Sequence, residues 1–370
     1  MRLVSLSMIK PEMVLGKSIY YRDCLVLKEG TIDLERYVNS LRKLGIDYVY
    51  IEDAKSNGID IPDAISEETR LQCKQVLRQT MEEFSTKTVI DVEEMSVAIN
   101  SVIDEILANP DIMVSLNDIG AADEYTFTHS VSTAVYSLII GNKLGYTRPM
   151  LEKLAAGALL HDIGKILLDS KIVNKAGKLE EDEFEHVKQH TVLGYEALKR
   201  CVNLTELSRI VALYHHERMD GRGYPTGTPA GELHEFTRIV AIADVYDALV
   251  SERSYRNKWS SNQAVNYLVE HSETHFDLKL VSVLIKQIAI YPNGSMVRLS
   301  DYRVGIVKEQ NKNFPLRPIV RVTTDELGRD VSHYEIDLMK ILSITIIESE
   351  LEMSWVNNKQ QAENNQGFAE

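Results

Sequence analysis

The sequence predicts a mainly α-helical protein with a small N-terminal α/β module and a short C-terminal β appendage. Three observations support that class. Apolar residues recur at helical spacing over most of the span from Ser66 to Leu249. Short strand-like runs precede that span, up to Ile51, and similar runs separated by Asn, Gly and Pro return beyond Tyr291.

Length and charge narrow the class. A chain of 370 residues suffices for two or three domains and at least one sizeable core. Hydrophobic residues at 44% and charged residues at 26% are those of a soluble globular protein. No apolar run reaches the length of a membrane span, and the stretch Met1–Pro11 has too short an apolar core for a secretory signal. Cys24, Cys73 and Cys201 are odd in number and lack metal-ligand spacing, so reduced core thiols and a cytoplasmic location are expected. The formal net charge of −14 argues against duplex nucleic acid and anionic membranes as partners, because binding there rests on Lys and Arg facing phosphates. A small anionic nucleotide stays compatible, since it needs only a local cluster of donors or bound cations.

In chain order, Met13 to Leu27 supplies strand-like runs ending at a turn around Gly30. Leu34, Tyr37, Val38, Leu41 and Leu44 then fall at helical spacing, with Thr31 or Asp33 as N-cap and Gly45 as C-cap. Tyr48–Ile51 reads as a strand. Two helices follow between Ser66 and Leu116, the second stopped by Asn109-Pro110. His129 opens a helix with Val135, Leu138, Ile139 and Leu144 on its apolar face. Leu151–Leu160 is apolar almost all round and should be a core helix. The acidic run Glu180–Glu185 suits a helix start. Leu207–Tyr214 is a further buried helix, ending in His215-His216. Met296–Leu299, Arg303–Val307, Ile319–Val322 and Ile341–Ile347 read as strands, and the Asn/Gln/Glu-rich tail after Trp355 as disordered.

Chemistry concentrates in the middle. Seven of the 10 histidines lie between His129 and His234. The core helix ends in His161-Asp162-Ile163-Gly164-Lys165, and a carboxylate buried there costs several kcal/mol, on the order expected for a desolvated charge, unless a cation offsets it. A metal or the Lys165 ammonium would serve. His186 and His190 lie four apart on one helix face; His190 sits in an apolar context, and His186 among the acids. Asp244 interrupts an apolar run and again requires a cation, with Asp247 one turn later as a weaker competitor. Arg253 and Arg256 are three apart, suited to phosphate oxygens or to an exposed basic helix end. The pair His215-His216 leads into Glu217 and Asp220-Gly221-Arg222-Gly223-Tyr224-Pro225, a loop that cannot continue the helix and must fold back over it.

The ordered set of His129, His161-Asp162, His190, His215-His216 and Asp244, with the Gly-Tyr-Pro loop, resembles the HD-GYP family of the HD phosphohydrolase superfamily over roughly residues 103 to 299. The resemblance implies an all-helical HD-type catalytic domain over 103–299. It would be flanked by a module of unknown role at 1–70, a helical connector at 71–102, the β appendage at 300–352 and the tail at 353–370. It further implies a cyclic di-GMP phosphodiesterase with His129, His161, Asp162, His190, His215, His216 and Asp244 as metal ligands, Asp162 bridging two ions. Lys165 would contact the scissile phosphate and serve catalysis with Asp162, and Arg253 and Arg256 would bind the nucleotide.

Two departures matter. The family's third-metal members carry a carboxylate where this chain has Tyr125, and Glu124 would face about 100° away on a helix. Two divalent ions, iron or manganese, are therefore expected. Asp169 stands where a proline is common and should alter the lid loop more than the ligands. The implied reaction is attack by a metal-bridging hydroxide, giving pGpG, with further cleavage to GMP left open. Two alternatives stand beside it: a non-catalytic cyclic di-GMP binding and signalling module, and a phosphodiesterase for another cyclic dinucleotide such as cyclic GMP-AMP. The sequence leaves a homodimer open.

Overall fold

The computed structural model describes residues 1–349 apart from Arg22, Thr88, 115–124, Ala176 and 252–258, and leaves aside the side chains of Ser85, Thr86, Ile90 and Tyr125. The expected basic pair Arg253 and Arg256, Glu124, the Tyr125 side chain and the tail 353–370 fall outside it. The apolar runs of the first quarter become β1 (Arg2–Ser5), β2 (Val14–Leu15), β3 (Ile19–Tyr21), β4 (Cys24–Leu27), α1 (Val38–Lys43) and β5 (Tyr48–Glu52). Then come α2 (Glu67–Thr86), β6 (Ile90–Asp91), α3 (Glu93–Ala108), α4 (Tyr125–Lys143), α5 (Arg148–Leu160), α6 (Ser170–Val173) and α7 (Glu181–Leu198). The chain continues through β7 (Cys201–Val202), α8 (Glu206–Tyr214), α9 (Glu235–Val250), α10 (Ser261–Glu270) and α11 (Leu278–Ile285). It closes with β8 (Met296–Leu299), β9 (Val304–Glu309), β10 (Ile319–Thr324), β11 (Asp330–Asp337) and β12 (Ile346–Ser349).

These elements divide into two units, one holding residues 1–62, 113–121 and 288–370, the other 63–112 and 122–287. In the first, β1, β5 and β2 form a three-stranded sheet and β11-β10-β9-β8-β12 a five-stranded antiparallel one. The N-terminal and C-terminal strands are bound together: the Leu3 amide donates to Gly294 O at 3.0 Å, and Lys55 pairs with Asp330 at 2.7 Å. Leu15, Ile19, Leu41, Val49 and Ile51 make the N-terminal core. The second unit is helical, with α4 packed on α5 and α9, and α5 on α8. Leu154, Ala158, Leu160, Val211, Ile239, Val240 and Ile242 there lose all contact with solvent. A fully buried aliphatic side chain of this size contributes about 1.5–3 kcal/mol through burial. Among the described residues, no helix is long and apolar enough to cross a membrane.

Several local expectations need correction. Neither Thr31 nor Asp33 caps a helix: Thr31 donates its hydroxyl to Lys28 O, and Asp33 enters a 3-10 turn at φ 54° with no cap bond. The helix starts only at Val38. Strand β1 is absent from the sequence reading because Met1–Pro11 lacks a sustained alternation, yet Leu3 and Val4 are buried against β5. Strand β11 is missed because it is an edge strand with mostly exposed residues. Ile341–Thr345 is not strand, since the Arg317 guanidinium takes the Leu342 and Ile344 carbonyls and Ile341 folds back on Asp337. Cys73 and Cys201 are buried free thiols, pushed by burial up to about 12 and about 11; Cys24 is exposed, against expectation.

Candidate metal centre

Five helices and one tight turn of the helical unit aim side chains at a common point. Helix α4 carries His129, and α5 ends at His161, its C-cap. Asp162 starts the 3-10 turn Ile163–Leu167. Helix α7 brings His190, α8 ends at His215 and α9 carries Asp244. The turn after Asp162 runs hard against α7: a Cβ added to Gly164 would lie 1.9 Å from His190 O. That contact sets Asp162 beside His190.

Every expected ligand within the described residues arrives. His129, His161, Asp162, His190, His215 and Asp244 are buried, each at most 8% exposed, and His216 is half-buried. Their donor atoms form three overlapping groups: Asp162 with His190, His215 and His216; His129 with His161 and Asp162; and His161 with His215 and Asp244. Asp162 faces both ways. Its Oδ1 lies 3.4 Å from His190 Nε2 and 3.7 Å from His215 Nε2, while Oδ2 lies 3.3 Å from His161 Nε2 and 3.9 Å from His129 Nε2.

Hydrogen bonds fix which nitrogen points inward. A carbonyl or carboxylate can only accept, so Nδ1 donates in His161 to Ala158 O at 2.7 Å and in His190 to Val187 O at 2.7 Å. His215 Nδ1 donates to Ala212 O at 3.0 Å, and His129 Nδ1 to Asp247 Oδ2 at 2.7 Å. Each Nε2 is thereby turned to the centre, the arrangement that outer partners impose on metal-binding imidazoles. Asp247 is the residue the sequence reading underrated. Its place three residues after Asp244 puts both carboxylates on one face of α9, one toward the centre and one behind His129.

The electrostatics match a cation. Burial pulls His190 down to about 3 and His216 well below the usual imidazole range, keeping both neutral with lone pairs available. Burial would raise the Asp162 carboxyl, but Lys165 and His161 outweigh it and hold Asp162 well below the carboxylate range; His129 does the same for Asp244. His129 itself is lowered by burial but carried up to about 9 by Asp244 and Asp247. Three buried carboxylates thus crowd one spot. His190 and His215 set their Nε2 atoms 3.3 Å apart, close to the roughly 3.0–3.4 Å between two neighbouring nitrogen ligands each about 2.1 Å from one ion. His161 Nε2 and Asp162 Oδ1 are buried with no hydrogen-bond partner among the described residues. Such a donor set fits a divalent transition metal.

Lys165 reaches Asp162 through its ammonium and stays partly open to solvent. Asp169 caps α6 through a hydrogen bond to the Lys171 amide. His186, expected to lie exposed among the acids, is half-buried, its Nε2 without a hydrogen-bond partner among the described residues. The loop after His216 folds back as expected, and Tyr224 stacks on His216 with ring centroids 4.6 Å apart. What holds it is Glu217, 3% exposed, whose carboxylate accepts from the amides of Thr226, Gly227 and Thr228 at 2.8, 2.9 and 3.1 Å. Sequence reasoning found no role for Glu217, because its partners lie nine to eleven residues on in an irregular loop.

Comparison with known proteins agrees with this geometry. The HD domain family matches residues 101–280, and a KOW domain associated with HD domains matches 296–353, the span of β8 to β12. The chain is 31% identical over 325 residues to cyclic di-GMP phosphodiesterase PA4108 of Pseudomonas aeruginosa, covering 80% of this chain and 77% of that protein. The chain belongs to the HD-GYP family. Two further relatives match over less than half of their length. The cyclic di-GMP phosphodiesterase response regulator RpfG of Xanthomonas campestris is 38% identical over 40% of this chain and 39% of its own length. The 3'3'-cGAMP-specific phosphodiesterase 3 of Vibrio cholerae is 34% identical over 47% and 38%. This HD-GYP chain spans about two fifths of each of those two.

Proposed function

We propose that the chain is a metal-dependent phosphodiesterase that hydrolyses cyclic di-GMP to linear pGpG, and pGpG onward to GMP. The observation that carries this reading is the two-sided Asp162, each oxygen turned to its own pair of inward-facing imidazoles. His129, His161, His190, His215, His216, Asp162 and Asp244 would hold two divalent ions, iron or manganese, with Asp162 between them. Such ions supply Lewis acidity toward a phosphoryl oxygen and a water acidified for in-line attack.

The protein's own groups prepare the site. Neutral His190 and His216 offer lone pairs without first losing a proton. Asp247 holds the His129 ring in one orientation. The Lys165 ammonium, on a flexible stem and partly solvated, is placed to leave Asp162 and meet the negative charge that builds on the phosphoryl oxygens. Arg253 and Arg256 remain proposed nucleotide contacts. The Pseudomonas aeruginosa relative, matched over 80% of this chain, is named for cyclic di-GMP, and the Vibrio cholerae relative named for cGAMP is matched over 47%, which favours cyclic di-GMP as the substrate.

The test is a chromatographic turnover assay on the anaerobically purified, metal-loaded full chain. Release of pGpG supports the reading. Cyclic di-GMP bound for hours without product would favour a binding and signalling module instead.

A further inference from the structure

The metal centre leaves unexplained an aromatic row that leads away from it. Phe184 on α7 meets Tyr224 edge to face at 6.3 Å, and Tyr224 in turn stacks on His216. Lys188, one helical turn after Phe184, holds its ammonium 4.8 Å from the centre of the Phe184 ring and 5.5 Å from that of Tyr224. Phe184 is 45% exposed although it stands only two rings from a candidate ligand. It also forms a wall of an open cleft of about 800 Å³, whose other walls include Val173, Lys175, Lys178 and Leu179. That volume suits a nucleotide.

The charges around the ring select what part of a nucleotide belongs there. Glu180 and Glu181 line the same cleft as Lys175 and Lys178, Glu183 takes up the Lys175 ammonium, and Glu185 pairs with Lys188, so carboxylates outnumber ammonium groups around the ring. Carboxylates repel a phosphate but not a neutral base. An exposed phenyl face stacks any purine. An ammonium adds selection, because it only donates. Guanine offers two acceptors, O6 and N7, on one edge, whereas adenine offers N7 beside an amino donor. Lys188 spends one of its three donors on Glu185 and keeps others for that edge.

We infer that Phe184 and Lys188 form a guanine subsite beside the metal centre, the base stacking on the exposed ring while the lysine donates to its O6 and N7 edge. The inference rests on the nucleotide reading above, and it names the residues that choose the base.

The test compares the wild-type full chain with Phe184→Ala, Lys188→Met and Lys188→Arg. Calorimetric titration with GMP and with AMP reads binding without turnover. Steady-state assays with cyclic di-GMP and cyclic di-AMP read KM and kcat separately. Phe184→Ala should weaken GMP binding about tenfold and raise the cyclic di-GMP KM more than it lowers kcat. Lys188→Met should erase a preference for GMP over AMP of about tenfold, and Lys188→Arg should keep it. A wild type without that preference overturns the subsite, as does a Lys188→Met protein that weakens for GMP and AMP alike. Normal cyclic di-GMP turnover with unchanged selectivity in all variants removes the subsite and leaves the hydrolytic reading standing. A guanine preference lost in Lys188→Met, in a protein that cleaves no cyclic dinucleotide, does the reverse.

Discussion

Asp247 Oδ2 lies 2.7 Å from His129 Nδ1, and the same imidazole sets its Nε2 3.0 Å from Asp244 Oδ1. One carboxylate orients the ring and its neighbour one turn earlier shares the ring's inward atom. Ser251 supports the arrangement by donating to Asp247 Oδ1 at 3.2 Å. Replacing Asp247 with Ala should therefore weaken metal affinity about 10–100-fold without touching a ligand. Asp247→Asn, which retains an acceptor, should fall between. Competition against a chelating dye measures this, and a wild-type affinity in Asp247→Ala would rule out the orienting role.

The close approach at Gly164 makes a second prediction. A methyl group there would meet His190 O at 1.9 Å and Gly194 N at 2.7 Å, both backbone atoms that cannot swing aside. Gly164→Ala must push the Asp162 turn away from α7, costing about 1–3 kcal/mol of stability. Metal content should drop with it, because Asp162 and His190 separate. A melting temperature and metal content equal to those of the wild type would contradict the packing described.

Part of the His and Asp cluster was legible from the residues themselves, and the full set came from the resemblance to the HD-GYP family. Asp162 is a charge just past the end of an apolar helix and Asp244 one inside another, while His190 and His215 stand at helical spacing from apolar neighbours. What escaped reading lies behind those groups. Asp247 looked like a rival to Asp244, since spacing places both on one face but does not say which reaches the centre. Glu217 bonds to a loop whose path no periodicity reveals. The missed strands β1 and β11 share a cause: one is short, and the other is exposed along most of its length, so neither has a strong alternating pattern.

Acid should loosen the loop that carries Tyr224. His275 is lowered to about 4 by burial, with Arg218 and His271 adding to it and Asp220 and Asp244 opposing. Its backbone carbonyl accepts from the Met219 amide at 3.3 Å. Unfolded, the same imidazole binds a proton near pH 6.5. Between about pH 6.5 and about pH 4 the unfolded state therefore holds more protons, and stability falls as pH falls through that window. His275→Gln should lose less stability between pH 7 and pH 5 than the wild type, by on the order of 1 kcal/mol. Urea unfolding of metal-free protein at the two pH values measures it, and equal losses would show that His275 does not titrate this way.

The most direct measurement is metal content and cyclic di-GMP turnover on the same anaerobic preparations of wild type and Asp162→Asn. The account predicts two iron or manganese ions per wild-type chain with release of pGpG. The variant should hold fewer ions and turn over at least about a hundredfold more slowly. An Asp162→Asn protein with full metal content that linearises cyclic di-GMP at the wild-type rate would contradict it.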